Sequence, residues 1–127
     1  MYQTQHFKPN TTDKLACSCC GVGGLDIATL IVLEDVRRHF EGKAVSVISG
    51  ARCVKHNAKE GGAKKSEHLA TEEDPNVSAC DIRVTGVKPS VVAAYLESTP
   101  FANLLGIGRY ATFTHVDTRG YPARWKG

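Results

Sequence analysis

Apolar residues recur at helical spacing in two stretches. After Asp26, the series Ile27, Leu30, Ile31, Leu33 and Phe40 predicts a helix from Asp26 to about Phe40. Asp26 suits its N-cap and Gly42 the position just past its end. Glu34 and Arg38 are placed for an i,i+4 ion pair on its outer face. The second series, Val91, Val92, Ala94, Tyr95 and Leu96, follows Pro89 at a first helical position and runs to about Ser98. A further turn is expected over Phe101 to Leu105.

Elsewhere the period is two. Ala44 to Ser49 is a short strand carrying Val45, Val47 and Ile48. In Ala79 to Thr85, Cys80, Ile82 and Val84 face one way, and Ala79, Asp81 and Arg83 the other. A last strand, about Tyr110 to Thr118, puts Phe113, His115 and Asp117 on one face. The remaining stretches are polar or rich in glycine. Residues 1–14 read as an extended arm, Gly21 to Gly24 as a flexible turn, and Val54 to Lys65 as a solvated loop with one helical turn. Thr71 to Ser78 reads as an acidic loop and Gly120 to Gly127 as a short tail with Trp125. With no repeat and no linker, the expectation is one domain over residues 1–127. Its class is α+β, a small, mainly antiparallel sheet with flanking helices.

Composition changes this picture little. With 127 residues, 42% hydrophobic and 23% charged, the chain suits one ordinary core. A net charge of +3 is too small to argue for nucleic acid, aromatics are sparse, and no helix face carries a basic stripe. No apolar run is long enough for a membrane span, and the N-terminus lacks the apolar core of a secretory signal. The expectation is therefore synthesis in the cytoplasm, as a monomer, with no nucleic-acid partner.

Three residues concentrate the candidate chemistry: His68 in a loop, Asp81 on a strand and His115 on a later strand. Two imidazoles and a carboxylate make a ligand set for one catalytic Zn²⁺, because three protein ligands leave a tetrahedral position open to water. The spacing alone is weak support, since an isolated histidine in a small domain is more often a surface or core residue. Asp117, two residues past His115, could act as general base or orient an imidazole from behind. It could equally be an exposed carboxylate paired with Arg119 or Arg83. Arg52, past the end of a buried strand, could clamp a substrate carboxylate or be an ordinary surface arginine.

Five cysteines, Cys17, Cys19, Cys20, Cys53 and Cys80, form an odd set that argues against a closed disulfide framework. The first three crowd one turn and suit either a second metal site or a redox pair. They equally suit small buried residues in a reduced protein. No second pair of ligands follows at regular spacing, so the expectation is the last of these.

The ordered series Ser49-Gly50-Ala51-Arg52-Cys53, Gly61 to Leu69, Ala79-Cys80-Asp81-Ile82, Gly106 to Tyr110, Phe113 to Asp117 and Arg119-Gly120 resembles the zinc D-Ala-D-Ala carboxypeptidase family, in particular its small phage endolysin-like branch. The Cys17-Ser18-Cys19-Cys20-Gly21 turn is similar to the N-terminal end of such phage enzymes. The resemblance covers about Cys17 to Trp125. It implies a fold shared with the hedgehog signalling domain, with zinc held by His68, Asp81 and His115. It further implies that Arg52 grips substrate, with Ser66 close by. The implied substrate is a peptidoglycan stem peptide, cut by D-Ala-D-Ala carboxypeptidase or L-Ala-D-Glu endopeptidase action. The implied setting is cell-wall lysis or remodelling after holin-type export or lysis.

Two features depart from the family pattern. The His-to-Asp interval is longer, with Thr71 to Ser78 as an insertion. Thr112 occupies the position, three residues before the last histidine, where many members carry an acidic base. Asp117 is the nearest acidic substitute. That gap motivates the alternative expectation, a non-catalytic zinc-containing wall-binding module of the same fold.

Overall fold

The computed structural model describes residues 2–8, 13–59 and 66–127. Within them, five strands form one sheet and two short strands form another. The elements run β1 (Gly24–Leu25), α1 (Ile27–His39), β2 (Val45–Ser49), α2 (Val54–Lys59), β3 (Asn76–Val77), β4 (Ala79–Val84), α3 (Pro89–Ser98), β5 (Gly106–Arg109), β6 (Thr114–Asp117) and β7 (Ala123–Lys126). A 3₁₀ turn, Ala102–Leu104, precedes β5. The β2-β4, β4-β6 and β6-β5 pairs are antiparallel and β5-β7 is parallel. The class is α+β with a mostly antiparallel sheet, as the period-two stretches imply.

Both long helices begin where their caps demand. The Thr29 amide donates to Asp26 Oδ1 at 2.8 Å, closing the N-cap of α1, and Pro89 opens α3. The end of α1 differs from expectation by one residue. The Gly42 amide donates to Arg37 O and the Glu41 amide to Arg38 O, which is a Schellman closure with Glu41, not glycine, at the left-handed position (φ 60°). The expected Glu34–Arg38 pair does not form. Arg38 donates to Asp35 at 2.8 Å, and Glu34 accepts from the backbone amide and ring of His6. Glu34 is thus spent on holding the N-terminal arm, where Phe7 is 1% exposed. The Pro9 to Thr12 part of that arm and the Glu60 to Lys65 part of the expected loop lie outside the described residues.

Three further differences have local causes. The start of the expected Val54 loop is α2, and two stretches assigned to turns or loops contain strands β1 and β3, each of two residues. β3 stitches the Thr71 to Ser78 insertion beside α1, with the Gly24 amide bonding Pro75 O and the Asp26 amide bonding Val77 O. The expected Tyr110 to Thr118 strand begins only at Thr114, and Gly106–Arg109 is a separate strand that folds back against it. The Gly120 to Gly127 tail holds edge strand β7. Runs of two or four residues carry too few alternations to declare themselves.

The sheet has two unlike faces. Val45, Val47, Cys80, Ile82, Val84, Ile107 and Val116 belong to the buried core with Leu30, Leu33 and Val36 of α1 and Val92, Ala93 and Leu96 of α3. Burying a side chain such as Ile82 contributes about 1.5–3 kcal/mol. On the other face, register brings Asp81 opposite His115 and Ala79 opposite Asp117. It also brings Gly108 opposite His115 and Gly106 opposite Asp117. A register shift between Val47 and Ser49 sets Ser49 opposite Asp81.

The glycines of β5 make room on that face. A Cβ on Gly108 would lie 2.6 Å from the Trp125 indole, and one on Gly106 would meet the Asp117 carboxylate. Gly108→Ala is expected to push out Trp125, the single tryptophan of the chain, and to cost about 1–3 kcal/mol. A red-shifted fluorescence maximum and a lower urea midpoint would register this; an unchanged emission spectrum would contradict it.

Candidate metal centre

Neighbouring strands deliver two of the three expected ligands. Asp81 of β4 and His115 of β6 are directly opposed, 5% and 7% exposed. The third comes from a loop stitched to the strand-end segment that carries Arg52. The Arg52 amide donates to His68 O at 2.7 Å and the Ala70 amide to Arg52 O at 2.8 Å, fixing His68 over the sheet at 4% exposure. The Ser66 hydroxyl accepts from the His68 amide at 3.2 Å, closing the turn.

The three donor atoms converge. His68 Nε2 lies 3.2 Å from His115 Nδ1 and 3.4 Å from Asp81 Oδ1, and His115 Nδ1 lies 3.1 Å from Asp81 Oδ1. Hydrogen bonds behind the rings decide what each presents. His68 Nδ1 is 2.8 Å from Gly50 O, a carbonyl that can only accept, so Nδ1 carries the proton. His115 Nε2 is 2.7 Å from Asp117 Oδ2, so that nitrogen carries its proton too. Each neutral ring therefore turns a bare lone pair toward the other and toward the Asp81 carboxylate. Three electron-rich atoms buried this closely repel unless a proton or a cation lies among them. This donor set of two imidazoles and one carboxylate fits a zinc ion.

Electrostatics follow from the same contacts. Burial opposes the charge on Asp81, yet a proton shared with the His115 and His68 rings favours the carboxylate and holds its carboxyl well below the usual range. Burial likewise opposes charge on His115, but its bonds to Asp117 and Asp81 outweigh that and raise its pKa. Asp117 is also held well below the usual range, against burial, by Arg119 and His115.

Asp117 is fully buried, and both its oxygens are engaged. Arg119 donates to it through Nε and Nη2 at 2.7 Å each, and the Arg119 amide donates at 3.2 Å. Its carboxylate lies behind His115, on the far side of the ring from the donor cluster. That position suits orienting an imidazole, whereas a general base needs an oxygen facing the reacting water. Arg52 is mostly buried, with Nη2 3.3 Å from Asp81 Oδ2 and Nε 3.2 Å from Ser49 Oγ. Its guanidinium thus borders the donor cluster through Asp81. Ser66 also lines a cleft of about 630 Å³ with Glu67, Asp74, Thr118 and Arg119, and none of the three converging residues lines that cleft. Thr112 is exposed, and its carbonyl accepts from Arg83 Nε at 2.9 Å.

Reading the sequence missed Trp125. Its ring centroid lies 4.8 Å from that of His115, its Nε1 donates to Tyr110 Oη at 2.9 Å, and Arg119 lies over its face. An aromatic flanked by Arg124 and Lys126 was the available signal, but it names no partner.

A family profile described as Peptidase M15 matches residues 5–117. No curated protein and no solved structure matches the chain significantly. No helix among the described residues is long and apolar enough to cross a membrane.

Two outcomes follow from the hydrogen bonds. Because His115 must be neutral to bind metal and its pKa is raised, zinc binding is expected to release protons, more of them as pH falls toward the imidazole range. Calorimetry in buffers of different ionisation heat measures this; no buffer dependence would contradict it. Asp117 has a depressed pKa when folded, so its stabilisation is present above its unfolded value of about 3.9 and is lost as pH falls below it. Urea denaturation at several pH values should show Asp117→Asn losing most relative to wild type near neutrality, with the gap closing in acid.

Proposed function

We propose, from the premise that this chain belongs to the peptidase M15 family of zinc D-Ala-D-Ala carboxypeptidases, that it hydrolyses peptide bonds in peptidoglycan stem peptides as one metallopeptidase domain. The observation that carries this reading is the convergence of His68 Nε2, His115 Nδ1 and Asp81 Oδ1 with both outer ring protons already committed. His68, Asp81 and His115 would hold a zinc ion there, and it would supply Lewis acidity toward water and the scissile carbonyl.

The chain's own residues do the rest. Gly50 O and Asp117 keep the protons on His68 Nδ1 and His115 Nε2, so both rings stay in the liganding tautomer throughout. Arg119 keeps Asp117 ionised and aimed. Arg52 braces Asp81 through one Nη2 bond and Ser49 through Nε, and the remaining Nη N–H groups of its fork take a substrate carboxylate, setting which bond lies over the centre. Stem peptides, with D-residues and free carboxylates, offer that anchor. Ser66 holds the His68 turn at the edge of the substrate path. Trp125 shields His115 from solvent on the β7 side. The action is on the cell wall, in phage-type lysis or remodelling. In this reading Asp117 is a positioning residue, and the proton acceptor is not drawn from it.

Incubation of zinc-loaded protein with purified peptidoglycan, followed by mass spectrometry, should yield fragments cut at a single peptide linkage. Activity should vanish with a chelator and return with zinc. Binding to the wall without any new fragment would favour the non-catalytic module instead. Arg52→Ala is expected to lower kcat/KM by about 10²–10³-fold, in line with loss of a bidentate charged anchor. Full activity toward carboxylate-bearing peptides in that variant would remove Arg52 from substrate binding.

A further inference from the structure

The donor cluster on the sheet leaves four of the five cysteines unexplained. Cys17, Cys19 and Cys20 were expected as small, buried residues of a tight turn. Cys17 is buried, but Cys19 and Cys20 are exposed, and Cys53 joins them from 33 or more positions along the chain. The sulfurs of Cys17 and Cys19 are 3.4 Å apart, as are those of Cys19 and Cys53, and all four lie within 4.8 Å of one another. These are not bonded pairs, since a disulfide spans about 2.05 Å. They are close to the edges of a tetrahedron: four sulfurs each about 2.3 Å from one ion sit about 3.8 Å apart.

We propose that Cys17, Cys19, Cys20 and Cys53 bind a second zinc ion in a closed, structural four-thiolate site. Four protein ligands leave no open position, so this ion does no chemistry, in contrast to the three-ligand centre on the sheet. The backbone is shaped for it. The Cys17 amide donates to Val22 O at 2.8 Å, the Gly21 amide returns to Cys17 O at 2.7 Å, and Gly21 takes φ +76°. That tight reversal turns three sulfurs toward one point. The fourth stands immediately before α2, whose Asn57 amide bonds Cys53 O at 2.8 Å. Each partner segment is already registered on the other: the Lys14 amide bonds Val47 O, and the Ala51 amide bonds Leu15 O.

The consequence reaches the main centre. Cys53 is the neighbour of Arg52, which holds Asp81 at 3.3 Å and is stitched to His68 and Ala70. An ion locking Cys53 to the Cys17–Cys20 turn limits how far Arg52 and the His68 loop can move. The sequence offered no regular second pair because the fourth ligand is contributed by a different element.

The test uses the full chain purified under reducing conditions. Elemental analysis should find about two zinc ions per wild-type chain. After exchange with cobalt(II), the protein should show intense sulfur-to-cobalt charge-transfer absorption. His68→Ala should drop the content about twofold and keep that absorption, while a Cys20→Ser/Cys53→Ser double variant should drop it about twofold and lose the absorption. Should the cysteine variants fail to fold, titration of wild type with a mercurial thiol reagent remains decisive: one ion should leave as about four thiols react. A wild type with a single ion and no sulfur-to-cobalt band would overturn the proposal. So would an intact mass showing a disulfide among these cysteines in the protein as isolated.

Discussion

Two imidazole lone pairs and a carboxylate lie within 3.4 Å of one another in a buried part of this molecule. Left alone, such a cluster is unfavourable, and much of the surrounding architecture can be understood as what keeps it in place. The proton that each ring must give up on the inner side is held on the outer side, by Gly50 O and by Asp117. Arg119 in turn grips Asp117 at two points, so the carboxylate stays charged despite full burial. Removing any member of this chain would leave a buried charge or a misplaced proton, which costs more than an ordinary surface contact.

The sheet divides its labour between faces. One face is apolar and is covered by α1 and α3. The other carries Ser49, Asp81, His115 and Asp117 in register, and there the glycines at 106 and 108 leave space for the Asp117–Arg119 pair and for Trp125. Antiparallel pairing makes this economical, since residues opposite one another on β4 and β6 share a face and approach closely. The metal-fitting geometry lies within the residues that the peptidase family profile matches.

The cysteine cluster and the sheet centre are joined through one short segment, Gly50 to Cys53. Gly50 O accepts the hydrogen bond from His68 Nδ1, Arg52 braces Asp81, and Cys53 enters the thiol cluster. A Cβ on Gly50 would come within 2.6 Å of the backbone oxygens of Lys14 and Leu15, so the N-terminal arm is packed hard against this segment. The arm is further fastened by His6 to Glu34 and by Phe7 in the core. It is thus part of the support of the centre, which a polar composition did not suggest.

Local sequence determined the parts whose physics is local. Asp26 capped α1, Pro89 opened α3, and the alternation in Ala79 to Val84 separated Asp81 from the apolar set, because caps and periodicity act over a few residues. The combination of His68, Asp81 and His115 was legible as a candidate ligand set from residue type and family resemblance, and the fold brings their donor atoms together. Strands of two to four residues, the seat of Trp125 and the position of Glu41 in the helix closure were not legible, since each depends on a distant partner. Asp117 shows the division most clearly. Its place two residues after His115 put it on the same face, but whether its carboxylate joined the donor cluster or stood behind the His115 ring was decided by Arg119 and by the packing of β5 beneath it. The same holds for Cys53, whose meaning arises only when folding carries it to the Cys17–Cys20 turn, because contacts between distant segments leave no periodic trace in the chain.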